Sequence, residues 1–288
     1  MIAITGANGN LGRLVVKGLL QHVPAARIVA TVRDGSRAYD LRALGVEVRE
    51  ADYDHPETLA RAFEGVDKLL LVSAVQPGRR LAQHVAVIDA ARRAGVRLIA
   101  YTSILRADTS RLVLAAEHKA TEQHLKDSGV DFVLLRNGWY LENDTGALAG
   151  ALAMGKVIGS ARQGRLASAS RADFADAAVA VLTQPGHANK TYELAGDQSF
   201  SMSEFAEEVS KQAQRPVVYE DLPAADFAAA LLNFGVPQMF VDVVVDASVR
   251  TSEGELDSSS RDLSALIGRH TTPVSDAIKV ALKALAPR

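Results

Sequence analysis

The first dozen residues, Met1-Ile2-Ala3-Ile4-Thr5-Gly6-Ala7-Asn8-Gly9-Asn10-Leu11-Gly12, leave few folds open to this chain. A short apolar run of strand type stops at Gly6, and an amphipathic run from Arg13 to Val23 begins within the length of one tight turn. That is a strand–turn–helix junction. Glycine at position 6 permits the turn, at 9 it lets a phosphate approach the backbone, and at 12 it lets the helix lie close on the strand. The first N–H groups of such a helix face the anion, with the positive end of the helix dipole behind them. The spacing is G-x-x-G-x-x-G rather than the G-x-G-x-x-G of ordinary dehydrogenases, so the triplet takes its meaning from its place between a strand and a helix.

The rest of the N-terminal half repeats the unit. Strands are expected at Arg27–Val32, Val46–Ala51, Lys68–Ser73, Arg97–Ser103 and Asp131–Asn137, with helices between them, including Arg79–Gly95 and Leu112–Ser128. The sequence Asp54-His55-Pro56-Glu57 has the form of a capping box that opens a helix running to Gly65. Such alternation gives a parallel sheet with right-handed crossovers. The phosphate turn at the first strand and the change of rhythm after Asn137 favour an open, doubly wound sheet over a closed barrel. Beyond Gly138 the pattern weakens. Strands are expected at Gly155–Ser160, Leu166–Ser170 and Thr191–Ala195, a helix over Arg171–Thr183, and a capping box at Ser201-Met202-Ser203-Glu204. The last hundred residues read as mostly helical. The expected organisation is an α/β nucleotide-binding domain over 1–150, with strands of about 156–195 returning to it, and a smaller, mainly helical substrate lobe over 196–288.

Composition removes several classes of function. The chain has 288 residues and no cysteine, which excludes disulfides, thiolate metal sites and cysteine nucleophiles. Its seven histidines show no metal-ligand spacing, so no metal is expected. With 32 basic against 34 acidic residues and a net charge of −2, there is no electrostatic case for nucleic acid or an anionic membrane. The apolar runs are strand-sized and the N-terminus begins directly with a strand, so neither a membrane span nor a signal peptide is read and a cytoplasmic protein is expected.

Arg33, at the end of the second strand, bears on the cofactor. An acid there accepts the ribose 2′-OH of NAD, whereas an arginine accommodates the 2′-phosphate of NADP through matched charge and fork geometry. NADPH is therefore the expected cofactor, although Asp34 stands next to Arg33. Ser73-Ala74-Val75 would face it as well, because ligands of open α/β sheets lie outside the carboxyl ends of the strands.

The chemistry is less conventional. Short-chain dehydrogenases use a serine and a Y-x-x-x-K pair, in which the tyrosine exchanges the proton. Ser103 falls where the serine would be, but no tyrosine lies four residues before Lys119 or His118. Either the protein senses a dinucleotide without turnover, or it reduces something that needs hydride but no matched acid. Quinones fit the second case, since aromatisation drives their reduction and water can supply protons. His118 stands as a possible proton relay or as a hydrogen-bonded structural histidine. Asn137-Gly138-Trp139-Tyr140-Leu141-Glu142-Asn143 follows the sixth strand at the same sheet edge. Its aromatics wall a flat substrate, or else Trp139 plugs the interface with the second lobe.

Five segments together carry a resemblance: Thr5 to Gly12, Val32-Arg33, Ala100-Tyr101-Thr102-Ser103, Leu134 to Tyr140, and Tyr192-Glu193-Leu194-Ala195-Gly196. In this order they resemble the NmrA-like atypical short-chain dehydrogenases, over nearly the whole chain. The resemblance implies a Rossmann-like domain that binds NADPH, a smaller C-terminal lobe forming the substrate cleft, and hydride transfer to a quinone, in a monomer or homodimer. It implies cofactor contacts at Gly6, Ala7, Asn8, Gly9, Asn10, Leu11, Arg33, Ser73, Ala74, Val75, Gly138, Trp139, Tyr140, Leu141, Glu142 and Asn143, with Ser168 a further candidate. Two departures stand out. Asn8 occupies a position that is often threonine in the family, and Asn143-Asp144 replaces a bulkier residue after the asparagine. Reduction of dyes or other flat conjugated electrophiles is the alternative activity.

Overall fold

Side chains alternate across each strand, so an apolar strand in a parallel sheet feeds two cores at once. Ile2, Ile4, Leu70, Ala100, Val133 and Leu135 enter one, while Ala3, Leu69, Leu71, Ile99, Tyr101 and Leu134 enter the other. The computed structural model describes residues 1–285 and shows how this division is used.

The N-terminal part runs β1 (Ile2–Ile4), α1 (Asn10–Leu19), β2 (Ile28–Val32), α2 (Tyr39–Ala43), β3 (Glu47–Glu50), α3 (Pro56–Ala62), β4 (Lys68–Leu71), α4 (Arg80–Arg93), β5 (Leu98–Ile104), α5 (Ala115–Asp127) and β6 (Asp131–Asn137). There follow α6 (Leu141–Thr145), α7 (Leu148–Met154), β7 (Lys156–Gly159), β8 (Arg165–Leu166), α8 (Arg171–Thr183), β9 (Lys190–Leu194), β10 (Phe200–Ser201), α9 (Met202–Ala213) and β11 (Val218–Asp221). The chain closes with α10 (Ala224–Asn233), α11 (Gln238–Ser252), α12 (Asp262–Ile267) and α13 (Val274–Leu285). Seven strands form one sheet in the order β3-β2-β1-β4-β5-β6-β9, every pairing parallel. The order reverses between β1 and β4, so the exits of these two adjacent strands diverge to opposite faces. Helices α1, α8 and α12 pack together, and α3, α4 and α5 line up with one another. No helix among the described residues is long and apolar enough to cross a membrane.

The doubly wound sheet agrees with expectation, but two expectations are not met. Of the strands in 156–195, only β9 returns to the main sheet. β7 pairs in parallel with β11, which the sequence reading left unassigned, and β8 pairs antiparallel with β10. The free edge of β6 takes one strand, and β9 fills it over five register pairs after the α8 crossover. The capping box at Asp54 does not form either. Asp54 Oδ1 accepts from Arg79 Nη2 at 2.8 Å and Gln83 Nε2 at 2.9 Å, and the N-cap of α3 is His55 with no side-chain bond. After Asn137, Leu141–Thr145 forms a helical turn. The capping box of Ser201 and Glu204 does form, and Ser170 with Asp173 makes a second one that opens α8.

The smaller lobe has its own core, in which Leu141, Leu148, Leu166, Phe200, Phe205, Val209 and Ile278 are buried and against which Trp139 packs. It joins the sheet through backbone in close approach. Gly196 N–H donates to Ala167 O at 2.8 Å, and a Cβ on Gly196 would lie 2.1 Å from Ser168 O. Backbone cannot yield as a side-chain tip can. Gly196→Ala is therefore expected to destabilise the protein by about 3 kcal/mol, the upper end of the usual cost of overpacking, measured as a fall in denaturant midpoint.

Candidate functional site

A groove of about 340 Å³ opens where β1 and β4 diverge. It is the position at which open α/β sheets bind ligands. Its floor is the turn after β1. Gly6 has φ +57°, the left-handed region that a glycine enters freely. Gly9 is the N-cap of α1, no side chain caps the helix, and its first turn carries no acid. Its early N–H groups are thus offered to an anion rather than to the protein. A Cβ on Gly9 would sit 3.1 Å from Gly6 O, and one on Gly12 would sit 2.4 Å from the same oxygen and 2.8 Å from Ala7 Cα. The turn is therefore closed to a side chain at Gly12 and tight at Gly9. Ala7 and Leu11 are buried in the core, so only their backbone faces the groove side. Asn8 Oδ1 and its carbonyl accept from Arg13, which also pairs with Asp40. Asn10 is exposed.

Arg33 lines the groove, is exposed, and makes no ion pair among the described residues. Asp34 makes no ion pair with it. Its carboxylate accepts from Ser36 Oγ at 2.6 Å and Ser36 N at 2.9 Å, and these bonds hold it below the usual carboxylate range. Ser73, Ala74 and Val75 form the opposite wall. The structure thus brings together Gly6, Asn8, Gly9, Arg33 and Ser73–Val75.

Gly138–Asn143 and Ser168 lie instead in a strip at the carboxyl end of β6, and none of them lines the groove at the turn. Tyr140 and Ala169 are bridged, Leu141 N–H donates to Ala169 O at 3.0 Å, and Gly138 N–H donates to Leu194 O at 2.8 Å. Trp139 packs toward the lobe core. Tyr140 turns the other way, its ring 5.2 Å from that of Phe174 and 5.1 Å from the Arg171 guanidinium. Leu141 is fully buried, and the Glu142 carboxylate accepts from Arg171 N at 3.0 Å. Asn143 Oδ1 accepts from Arg171 Nη2 at 3.0 Å. The Ser168 hydroxyl is buried without a partner.

Neither residue considered for proton transfer faces the groove. His118 is buried under the sheet, with Nδ1 2.6 Å from Tyr101 Oη, and burial, followed by the charge of Arg80, holds it well below the usual histidine range. Ser103 Oγ donates to Glu122 Oε1 at 2.6 Å, and Glu122 is gripped by both Nε and Nη2 of Arg136.

The groove also contains residues that the sequence reading missed: Tyr53, Asp54, Gln76 and Gln83. Tyr53 and Asp54 follow the third strand at the same carboxyl edge, so the rule that pointed to Ser73–Val75 reaches them too. Gln83 carried no such signal, being one turn inside α4. Its Nε2 faces the Asp54 carboxylate, which can only accept, so Oε1 is directed elsewhere and is buried without a partner.

An open parallel sheet with an uncapped glycine turn at its switch point and an arginine ending the second strand defines a dinucleotide-binding α/β protein. A family profile described as NAD(P)H-binding matches residues 6–185, and the chain belongs to that family. It is 49% identical over 278 residues to quinone oxidoreductase 2 of Escherichia coli, covering 96% of this chain and 97% of that one. The crystal structure of NADPH-dependent quinone oxidoreductase QOR2 from E. coli, complexed with NADPH, superposes with a TM-score of 0.95 at 48% identity, covering 98% of this chain and all of that one. The Citrobacter sp. triphenylmethane reductase complexed with NADP(H) gives a TM-score of 0.94 at 38% identity, again covering 98% of this chain and 100% of its own. The NmrA-like resemblance drawn from the motifs holds.

One departure from the family pattern has a measurable effect. Asp144 lies on the side of α6 that carries the buried Leu141 and Thr145, and its Oδ2 is buried without a partner. Burial pushes the carboxyl up to about 7, opposed by the Trp139 indole. The folded state therefore keeps a proton that the unfolded chain, with an ordinary carboxyl near 3.9, has released. Stability should fall as pH rises from about 4 to about 7 and level off above. Asp144→Asn is expected to remove that slope and to stabilise the protein by about 1–3 kcal/mol near pH 8, with little change near pH 4. Denaturant titrations at the two pH values check this.

Proposed function

We propose that the chain binds NADPH across the carboxyl edge of its sheet and uses it to reduce a quinone. The observation that carries this is the near full-length match to an NADPH-dependent quinone oxidoreductase, in a chain whose groove has the matching chemistry. That chemistry is a tight glycine turn, uncapped helical N–H groups, and an unpaired arginine. When bound, NADPH supplies the hydride.

The roles of the residues follow. The backbone of Gly6–Leu11 holds the pyrophosphate at the N-terminus of α1, and Arg33 pairs with the 2′-phosphate. Ser73–Val75 form the wall on the β4 side. Gly138–Asn143 and Ser168, further along the same edge, border the substrate end, where the second lobe frames the acceptor. Ser103 Oγ is spent on Glu122 and His118 is buried against Tyr101 beneath the sheet, so neither reaches the groove and the quinone oxygens take their protons from solvent. The chain through β6, with β9, forms the cofactor-binding part, and the smaller lobe sets acceptor shape. The protein acts in the cytoplasm as a monomer or homodimer. Flat conjugated dyes are a second acceptor class, suggested by the likeness to triphenylmethane reductase. The test is loss of NADPH absorbance on adding a simple quinone to the purified protein; a rate no faster than without quinone would overturn the reading.

Two substitutions probe the cofactor site. Arg33→Ala should weaken NADPH by about 1.5–3 kcal/mol, the scale of a hydrogen bond to a charged group, and leave NADH nearly unchanged. Equal losses for both cofactors would remove the 2′-phosphate assignment. Gly9→Val should abolish binding of both while the thermal melt stays cooperative, since the added branches fill the space of the phosphate. Fluorescence titration reads both variants.

A further inference from the structure

β4 ends at Leu71, and the next three peptide N–H groups have left the strand ladder. Each receives a side-chain acceptor from a different element. Val72 N–H donates to Thr5 Oγ1, Ser73 N–H to Thr102 Oγ1, and Ala74 N–H to His84 Nε2, all at 2.9 Å. The carbonyl of Ala74 accepts from Arg80 Nε at 2.8 Å. The two peptide groups that flank Ala74 in the groove wall are thus held by residues one helical turn apart on α4, one by His84 and the next by Arg80.

The grip is itself braced. His84 Nδ1 is 3.1 Å from Thr121 Oγ1, whose hydroxyl donates to Glu117 O at 2.8 Å. Because the Ala74 N–H can only donate, Nε2 carries the lone pair and Nδ1 the proton, which points at Thr121. Arg80 Nη1 donates to Glu117 Oε2 at 2.9 Å, and Glu117 Oε1 accepts from Gly78 N at 3.1 Å, which closes the loop at its far end. His84 is fully buried and Arg80 is 4% exposed, so neither can touch a ligand in the groove. Placing a guanidinium and an imidazole there is costly unless both are fully bonded, and these bonds converge on Ala74 and its brace.

We infer that His84 and Arg80 are positioning residues for the dinucleotide: by fixing the two peptide groups on either side of Ala74 they hold the Ser73–Gln76 wall at the spacing the cofactor requires. This rests on the reading of the groove as the NADPH site. The wall lies across the turn from Arg33, so its displacement affects NADPH and NADH alike, unlike the loss of Arg33.

A glutamine at position 84 places its carbonyl oxygen near the position of Nε2 and retains an acceptor for Ala74. An asparagine places its amide near Nδ1, which keeps the Thr121 contact and loses Ala74. Both are polar and smaller than or similar in size to histidine, so a general packing role predicts similar behaviour for the two. The experiment is cofactor titration and steady-state kinetics on His84→Gln and His84→Asn, with hydrogen exchange of the 72–76 segment in the cofactor-free wild-type protein. His84→Asn should weaken NADPH and NADH equally, by about tenfold, the equivalent of one lost hydrogen bond, with His84→Gln within about twofold of wild type and the quinone KM at saturating NADPH unmoved in both. The Ala74 amide should exchange slowly in the wild-type protein without cofactor, a readout that depends on no variant folding. Equal cofactor affinity in the two variants, or an Ala74 amide that exchanges as fast as free peptide, would overturn the inference while leaving NADPH binding intact. Failure of the wild-type protein to bind NADPH would overturn both the inference and the reading beneath it.

Discussion

The divergence of β1 and β4 is the constraint on which the rest of the structure depends. Two neighbouring parallel strands whose crossovers leave to opposite faces expose peptide groups that the ladder no longer serves, and buried peptide groups must be paired. Thr5 performs the closure. Its N–H donates to Leu70 O at 3.0 Å, its hydroxyl reaches the same carbonyl at 3.2 Å, and Oγ1 accepts from Val72 N. The two strand exits are therefore tied together just before they part. Everything that gives the groove its character lies beyond that tie: the left-handed Gly6, the uncapped start of α1, and the wall after β4. The groove is a gap that the topology creates and the threonine limits.

Sequence reading recovers the repeating half because its signals are local and periodic. A strand buried on both faces has a continuously apolar centre, and Leu69–Leu71 and Phe132–Leu135 show this; the glycine spacing then locates the turn. The strip after Asn137 is less legible. Trp139 and Tyr140 are adjacent, yet they serve different cores, and nothing local in the sequence states which core each enters. β11, Val-Tyr-Glu-Asp, is polar at its end and half exposed, so its strand character comes from pairing with β7 some sixty residues earlier. Asp54 shows the reverse error, since a correct capping pattern is overridden by two tertiary donors, Arg79 and Gln83. Gln83 and His84 have no sequence signal as site residues, because their contribution depends on where the loop after β4 happens to pass.

The positions that a conventional short-chain dehydrogenase uses for proton transfer are given over to structure. Ser103 anchors a buried cluster in which Arg136 is bonded to Glu122, Glu193 and Asp108. Arg106, in the left-handed region at φ 52°, extends this cluster to the second lobe by donating to the carbonyls of Gly254, Glu255 and Asp257. Breaking a buried ion pair by removing one partner leaves a charge without compensation, so such a cluster strongly resists piecemeal change. The same β5 and β6 edge that could have carried an acid–base pair instead fastens the lobe to the sheet.

The pairing of β7 with β11 gives the smaller lobe an unusual pedigree. Its strands and helices come from chain segments on either side of β9, the strand that completes the main sheet. The lobe therefore has no single pair of ends at which it could be cut out, replaced or grafted onto another protein.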